Sequence, residues 1–142
     1  MKKPASLRKA IGDALPDLRT NPDRMTVFVD AGKVISRITQ SNSFGYQYKL
    51  NLIFEDFSDD TNLLFFTVAK WLREHQSDLF ANPATRETAL VFDVDHLTNE
   101  TCDVSISINL TEDMDVAIAE DGAVTFTARD EPKPEWERTG LA

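Results

Sequence analysis

A regular alternation of apolar and polar residues between positions 44 and 55 constrains the fold of this chain more than any other feature of its sequence. Six apolar or aromatic side chains occupy every second position there: Phe44, Tyr46, Tyr48, Leu50, Leu52 and Phe54. Because side chains alternate between the two sides of a strand, this pattern predicts a strand about 35 Å long with one apolar side. A sheet that contains this strand needs a second layer to cover its apolar side.

Two helical segments are predicted to form the covering layer. The first follows Ser6, a candidate N-cap, and carries one apolar stripe of Leu7, Ile11, Leu15 and Leu18. Pro16 lacks an amide hydrogen and predicts a break near residues 14–15. Ser58-Asp59-Asp60-Thr61 supplies a cap and two acids to the start of the second helix, which ends near Gln76. Its main apolar side is formed by Leu64, Val68, Trp71 and Leu72.

The remaining apolar segments alternate with a period of two and predict further strands. We expect a strand over residues 25–29, a turn at Asp30–Lys33, and a returning strand over residues 34–38. Strands are also expected at residues 90–94 and 104–110, followed by a hairpin around Asp121-Gly122. The coarse order is α-β-β-α-β-β-β, which predicts an α+β fold with two main helices packed on a mostly antiparallel sheet.

Length and charge limit the classes of function. The chain has 142 residues and a formal net charge of −9, which fits one domain and disfavours nucleic-acid and anionic membrane surfaces as partners. Residues 1–86 carry 12 basic and 10 acidic side chains, whereas residues 87–142 carry three basic and 14 acidic ones. This asymmetry is typical of a solvated acidic surface and also suits head-to-tail contacts between copies. No apolar run is longer than four residues, the length of Leu63–Phe66, which is too short to cross a membrane.

The residues that could carry chemistry do not form a recognisable catalytic or metal-binding set. Two acidic clusters are present, Asp56 with Asp59 and Asp60, and Asp93 with Asp95 and His96. Neither resembles a cation-binding loop, and we expect both to lie on the solvated surface. His75 is predicted to lie on the apolar side of the second helix, and Cys102 to be a small core residue that opens a strand. The sequence therefore predicts no enzyme, cofactor or metal site.

The second helix has more apolar surface than one sheet can cover. At 100° per residue, Leu63 and Phe66 fall among Lys70 and Arg73 on its polar side. We interpret these four residues as a self-assembly interface centred on Phe66. The alternative is that Leu63 and Phe66 are buried within the subunit by a loop or by the first helix.

Seven short strings, in order along the chain, resemble the tail completion protein R (GpR) family of P2-like contractile-tailed phages. They begin with Pro4-x-Ser6-Leu7-Arg8, and they include Trp71-Leu72-Arg73-Glu74-x-Gln76-x-Asp78 and Leu110-Thr111-Glu112. The resemblance extends from about residue 4 to residue 112. It implies a structural protein of the virion that closes the finished tail before the head joins.

The resemblance also implies partners and a location. These are other copies of the chain in a ring, expected to be a hexamer, the tail tube and sheath proteins, and the head–tail connector proteins. The location is the head-proximal end of the tail, with assembly in the host cytoplasm. The element order is similar to that of tail terminator proteins, which form hexameric rings on the tube. The alternatives are a protein- or ligand-binding adaptor outside the virion and a small metal-dependent enzyme.

The last residues differ in composition from the rest of the chain. We expect residues 1–128 to form the α+β domain and residues 129–142, with Pro132 and Pro134, to form a mobile acidic tail. Trp136 is a large apolar side chain within that tail. It is either an exposed residue without a role or an anchor that docks on a neighbouring protein.

Overall fold

The computed structural model describes residues 1–36 and 41–129. Helix α1 spans Lys3–Ala14, and a second short helix, α2, spans Pro16–Thr20. The predicted break at Pro16 is confirmed, because proline starts the new helix where its missing N–H is not needed. The prediction of Ser6 as an N-cap is wrong, since α1 begins three residues earlier with Pro4 in its first turn.

The strands form one antiparallel sheet. They are β1 (Met25–Ser36), β2 (Phe44–Phe57), β3 (Leu90–Asp95), β4 (Cys102–Ile118) and β5 (Val124–Ala128), and the helices after β2 are α3 (Thr61–His75), α4 (Asp78–Ala81) and α5 (Pro83–Arg86). The strand order is β1-β2-β4-β3, and β5 pairs with β4. This architecture confirms the predicted α+β fold with a mostly antiparallel sheet. None of the described helices is long and apolar enough to span a membrane.

The turn predicted at Asp30–Lys33 is wrong. Residues 25–30 and 33–36 both pair with β2, and the register shifts between Asp30 and Lys33. Ala31 and Gly32 thus lie opposite the single residue Tyr48, and Ala31 has a φ of 51°, so one extra residue forms a bulge within one strand and the chain does not reverse there. The Gly32 that suggested a turn is the neighbour of the residue that bends the strand.

The core lies between the sheet and the helices α1 and α3. Alternate residues of β2 and β4 point towards the helices, among them Leu50, Leu52, Phe54, Ile106 and Ile108, and all of these are fully buried. Leu7 and Ile11 of α1 and Leu64 and Leu72 of α3 cover them. We call this surface of the sheet its helix side. The alternation that predicted β2 is therefore confirmed, because the apolar residues are those that the helices bury.

Strands β3 and β5 pair with the same edge of β4 and leave a gap between them. β3 pairs with Asp103–Ile108 of β4, and β5 pairs with Met114–Ile118. Within the gap, the backbone N–H of Thr111 donates to Gln76 Oε1 at 3.1 Å, and its carbonyl accepts from Lys3 Nζ at 2.6 Å. Side chains from α1 and from the end of α3 thus replace the missing strand and satisfy backbone groups that would otherwise be unpaired.

The sheet is longer than the helix layer. Beyond Glu112, the helix side continues over Met114, Val116 and Ile118 of β4 and onto Val124 and Phe126 of β5. Val34 of β1, opposite Tyr46 in the same register, is 72% exposed, and Phe126 is 57% exposed. One end of the sheet therefore carries apolar side chains that no described helix covers.

Candidate assembly surface

Helix α3 is held in one orientation on the sheet by a cap and an apolar side. The carboxylate of Asp60 accepts a hydrogen bond from the N–H of Asn62 at 2.9 Å, which satisfies one of the free amides at the helix start. Leu64, Val68, Trp71 and Leu72 are all buried. The indole Nε1–H of Trp71 donates to Ser6 Oγ of α1 at 3.0 Å. These contacts determine which side of α3 points away from the sheet.

The four residues predicted as an interface lie on that outward side. Leu63, Phe66, Lys70 and Arg73 recur at intervals of three and four, which places them in one stripe along α3. Phe66 is 61% exposed and Leu63 is 40% exposed, while Lys70 and Arg73 are also exposed. The structure therefore does not show Leu63 and Phe66 buried within the subunit, which was one of the two alternatives that the sequence left open. We call these four residues the α3 stripe.

Beside the α3 stripe, exposed apolar surface continues onto the edge strand β3. Phe65, the neighbour of Phe66 in α3, packs against Phe92 with the ring centroids 4.6 Å apart. Phe92 and Val94, which lie on the same side of the sheet as α3, are exposed large hydrophobic residues. The α3 stripe is thus part of a wider apolar region, the type of surface that marks protein–protein contacts.

A buried polar network fixes the C-terminal end of α3. Lys3 Nζ donates to Gln76 Oε1 at 2.6 Å, and Gln76 Nε2 donates to Thr111 Oγ1 at 2.9 Å. Nearby, the hydroxyl of Tyr48 donates to Glu112 Oε2 at 2.7 Å. Burial and this hydrogen bond to a carboxylate raise the pKa of Tyr48 far above its usual value.

The network was not predicted from the sequence, although three of its residues, Gln76, Thr111 and Glu112, lie in the strings that carried the family resemblance. Each of them is a polar residue beside an apolar stripe and would be assigned to the surface by pattern alone. Gln76 and Glu112 are in fact buried. Their position in the fold gives those strings a structural role, since they join α1, α3 and β4.

The two acidic clusters are only partly brought together. Glu55, Asp56, Asp95 and Asp103 surround a shallow cavity of about 300 Å³ at one end of the sheet. The carboxylate of Asp103 accepts hydrogen bonds from the N–H of Asp56 at 3.0 Å and from His96 Nδ1 at 2.7 Å. These two donors hold the pKa of Asp103 below its usual value, and the carboxylate raises the pKa of His96.

The first acidic cluster is not assembled, because Asp60 caps α3 as described. Among the residues that the structure describes, no group of three or more His, Cys, Asp or Glu side chains is arranged to hold a metal ion. His96 and Asp56 both adopt a positive φ, of 50° and 51°. The bonds to Asp103 therefore connect the irregular end of β2, at Asp56, with the bend after β3, at His96, and have a structural role.

The other residues singled out in the sequence lie as follows. His75 is half-buried near the end of α3 and stacks on Trp71 with the ring centroids 4.7 Å apart. Cys102 is the first residue of β4 and is buried, which confirms the prediction of a core position. Trp136 and the rest of the predicted tail after Arg129 lie outside the described residues.

Comparison with known proteins identifies one family. The family model for P2 phage tail completion protein R (GpR) matches residues 1–133 of this chain. The tail completion protein R of Escherichia phage P2 is 40% identical over 134 residues, which cover 94% of this chain and 86% of that protein. No solved structure matches the chain significantly. The similarity to tail terminator folds therefore stays a prediction.

Proposed function

Since the chain belongs to the P2 phage tail completion protein R family, we propose that it is a structural subunit that caps the finished tail tube and prepares the tail for head joining. The observation that carries this proposal is the α3 stripe. An apolar residue as large as Phe66, 61% exposed on a helix whose opposite side is fully packed, is typical of a subunit that completes its contacts by assembly.

We propose further that the copies form a ring, expected to be a hexamer that matches the tail tube. A contact between two different surfaces of the same subunit closes into a ring when its rotation divides a full turn. Lys70 and Arg73 in the α3 stripe supply positive charge, and residues 87–142 carry a net negative charge. This opposition favours such a head-to-tail contact. The subunit has no catalytic role in this proposal.

The ring would contact the tail tube and sheath proteins on one side and the head–tail connector proteins on the other. This arrangement places the subunit at the head-proximal end of the tail. We also propose that residues 1–128 form the assembling domain and that Trp136, in the segment after it, anchors the subunit to a neighbouring protein. An aromatic side chain buried at a contact is the kind of residue that supplies much of the binding energy there.

The test is complementation of a phage that lacks this gene product. Phe66→Ala and Lys70→Glu are each expected to lower the yield of infectious phage, because finished tails fail to form. Lys49→Glu, an exposed charge reversal on the side of β2 that points away from the helices, is the matched control and is expected to complement normally. Normal complementation by Phe66→Ala would contradict the role of the α3 stripe.

The role of Trp136 is tested separately with Trp136→Ala and with a chain that ends at residue 129. Both variants are expected to fold normally and to complement poorly if Trp136 is an anchor. If the shortened chain completes tails as well as the full chain does, the anchor is not needed.

A further inference from the structure

The end of the sheet that extends beyond the helices is the second large apolar surface of the subunit. On the helix side, it is formed by Phe44, Met114, Val116, Ile118, Val124 and Phe126, and we call this group the open face. The rings of Phe44 and Phe126 meet edge to face with centroids 6.4 Å apart, so the surface has an ordered aromatic part. Ile118, Val124 and Phe126 are exposed.

The open face is a continuation of a surface that already packs against helices. The same alternate residues of β2 and β4 that cover the core continue past Glu112 without a change of side. The N-terminus of α1 marks the boundary, where the N–H of Lys2 donates to Glu112 Oε1 at 2.9 Å. An apolar sheet surface of this kind accepts the apolar stripe of a helix.

Resting on the proposed assembly into a ring, we infer that the open face of one copy packs against the α3 stripe of the next copy. Among the described helices, α3 alone carries exposed large hydrophobic side chains, which are Leu63 and Phe66. Because α3 buries its other side on its own sheet, the stripe points away from that sheet and can reach an open face only on another copy. The contact joins two different surfaces and is head-to-tail.

Size and charge agree with this pairing. Leu63 and Arg73 are ten residues apart, which corresponds to about 15 Å along a helix. The five residues of β5 extend about 14 Å along the open face. The turn between β4 and β5, at one end of the open face, carries the exposed carboxylates of Glu120 and Asp121, whereas the C-terminal half of the α3 stripe carries Lys70 and Arg73. Opposite charges therefore lie at one end of each of the two apolar surfaces.

A head-to-tail contact predicts a specific pattern of cross-links. Chains with Phe66→Cys and chains with Phe126→Cys are purified separately and then mixed under oxidising conditions, alone and with tail tubes. A disulfide between residues 66 and 126 is expected in the mixture and in neither variant by itself. Cys102 is buried and serves as the internal control, since it stays reduced in the folded chain.

A second experiment uses variants that each lose one surface. Phe126→Asp removes the open face and Phe66→Asp removes the α3 stripe, so each is expected to be monomeric by itself. Mixed together, one variant supplies an intact stripe and the other an intact open face. The mixture is therefore expected to form a dimer that cannot grow. Both variants are checked by thermal unfolding, and Val124→Asp replaces Phe126→Asp if the latter does not fold.

The outcomes separate this inference from the proposed function. Rings that form without a disulfide between residues 66 and 126 would overturn the inference and leave the proposed function intact. Cross-links between two copies of residue 66 would show a symmetric contact and would also overturn it. If neither rings nor cross-links appear with or without tail tubes, both the inference and the proposed ring are wrong. Should truncation at residue 129 expose the open face, the C-terminal segment is its occupant and the inference fails.

Discussion

Phe66→Ala separates the two possible roles of this residue most clearly, because its effects on folding and on assembly differ in size. About two-fifths of the Phe66 side chain is buried within the subunit. Complete burial of a phenylalanine contributes up to about 3 kcal/mol, so the variant loses about 1 kcal/mol of packing. Alanine regains about 0.5 kcal/mol through its higher helix propensity. The net cost to the free energy of unfolding is therefore about 0.5 kcal/mol.

At this chain length, such a change lowers the melting temperature by about 1–2 °C. The matched control is Phe54→Ala, at a fully buried position of β2, where about 3–5 kcal/mol is lost and the melting temperature falls by about 10 °C or more. Both variants are measured by thermal unfolding under conditions in which the wild type is monomeric.

For ring assembly, unlike for folding, Phe66→Ala is expected to have a large effect. If Phe66 is the centre of the contact, alanine costs about 2 kcal/mol or more per contact, which weakens each contact about 30-fold. Each subunit of a ring makes two contacts, so light scattering is expected to show monomers at concentrations where the wild type forms rings. A fall in melting temperature as large as that of Phe54→Ala would place Phe66 in the core and refute this reasoning.

Three further predictions concern the interior and the end of the sheet. Gln76→Ala is expected to lower the free energy of unfolding, measured with urea, by about 2–3 kcal/mol, because the N–H of Thr111 and Lys3 Nζ both lose a buried partner. Asn109→Ala, at an exposed position of β4, is the control. His96→Gln is expected to lower the melting temperature most between about pH 4 and 6. Because the pKa of His96 is raised, the stabilisation from its bond to Asp103 is complete below the usual histidine pKa and is lost as the pH rises through the raised value. The lowered pKa of Asp103 keeps its carboxylate charged, and so preserves the bond, until strongly acidic pH. An equal difference between wild type and variant at pH 9 would contradict this. Cys102 is expected to react with a thiol reagent only at the rate of unfolding, so rapid labelling of the native chain would contradict its burial.

The features that were predicted from the sequence are those that depend on local periodicity. The strand β2, the break at Pro16 and the buried side of α3 all follow from apolar spacing or from the chemistry of one residue. The outward position of Phe66 also followed from spacing, since 100° per residue places it opposite Leu64 and Leu72. The interface role of the α3 stripe stays a prediction.

The features that were missed depend on contacts between distant parts of the chain. Asp30–Lys33 contains a glycine next to polar residues, and only pairing with β2 on both sides distinguishes a bulge from a turn. Gln76 is buried because Lys3 and Thr111, 73 and 35 residues away, surround it. The open face was missed for a related reason: its alternation predicts strands correctly but does not tell which half of a long sheet the helices cover.

The central claim is that copies of this subunit assemble through the α3 stripe into a ring that caps the tail tube. Negative-stain microscopy of tail tubes incubated with wild-type protein or with Phe66→Ala tests it most directly. The account predicts a sixfold ring on one end of tubes that received the wild type, and bare ends on tubes that received the variant. Bare ends with the wild type, or rings equally frequent with both proteins, would contradict it.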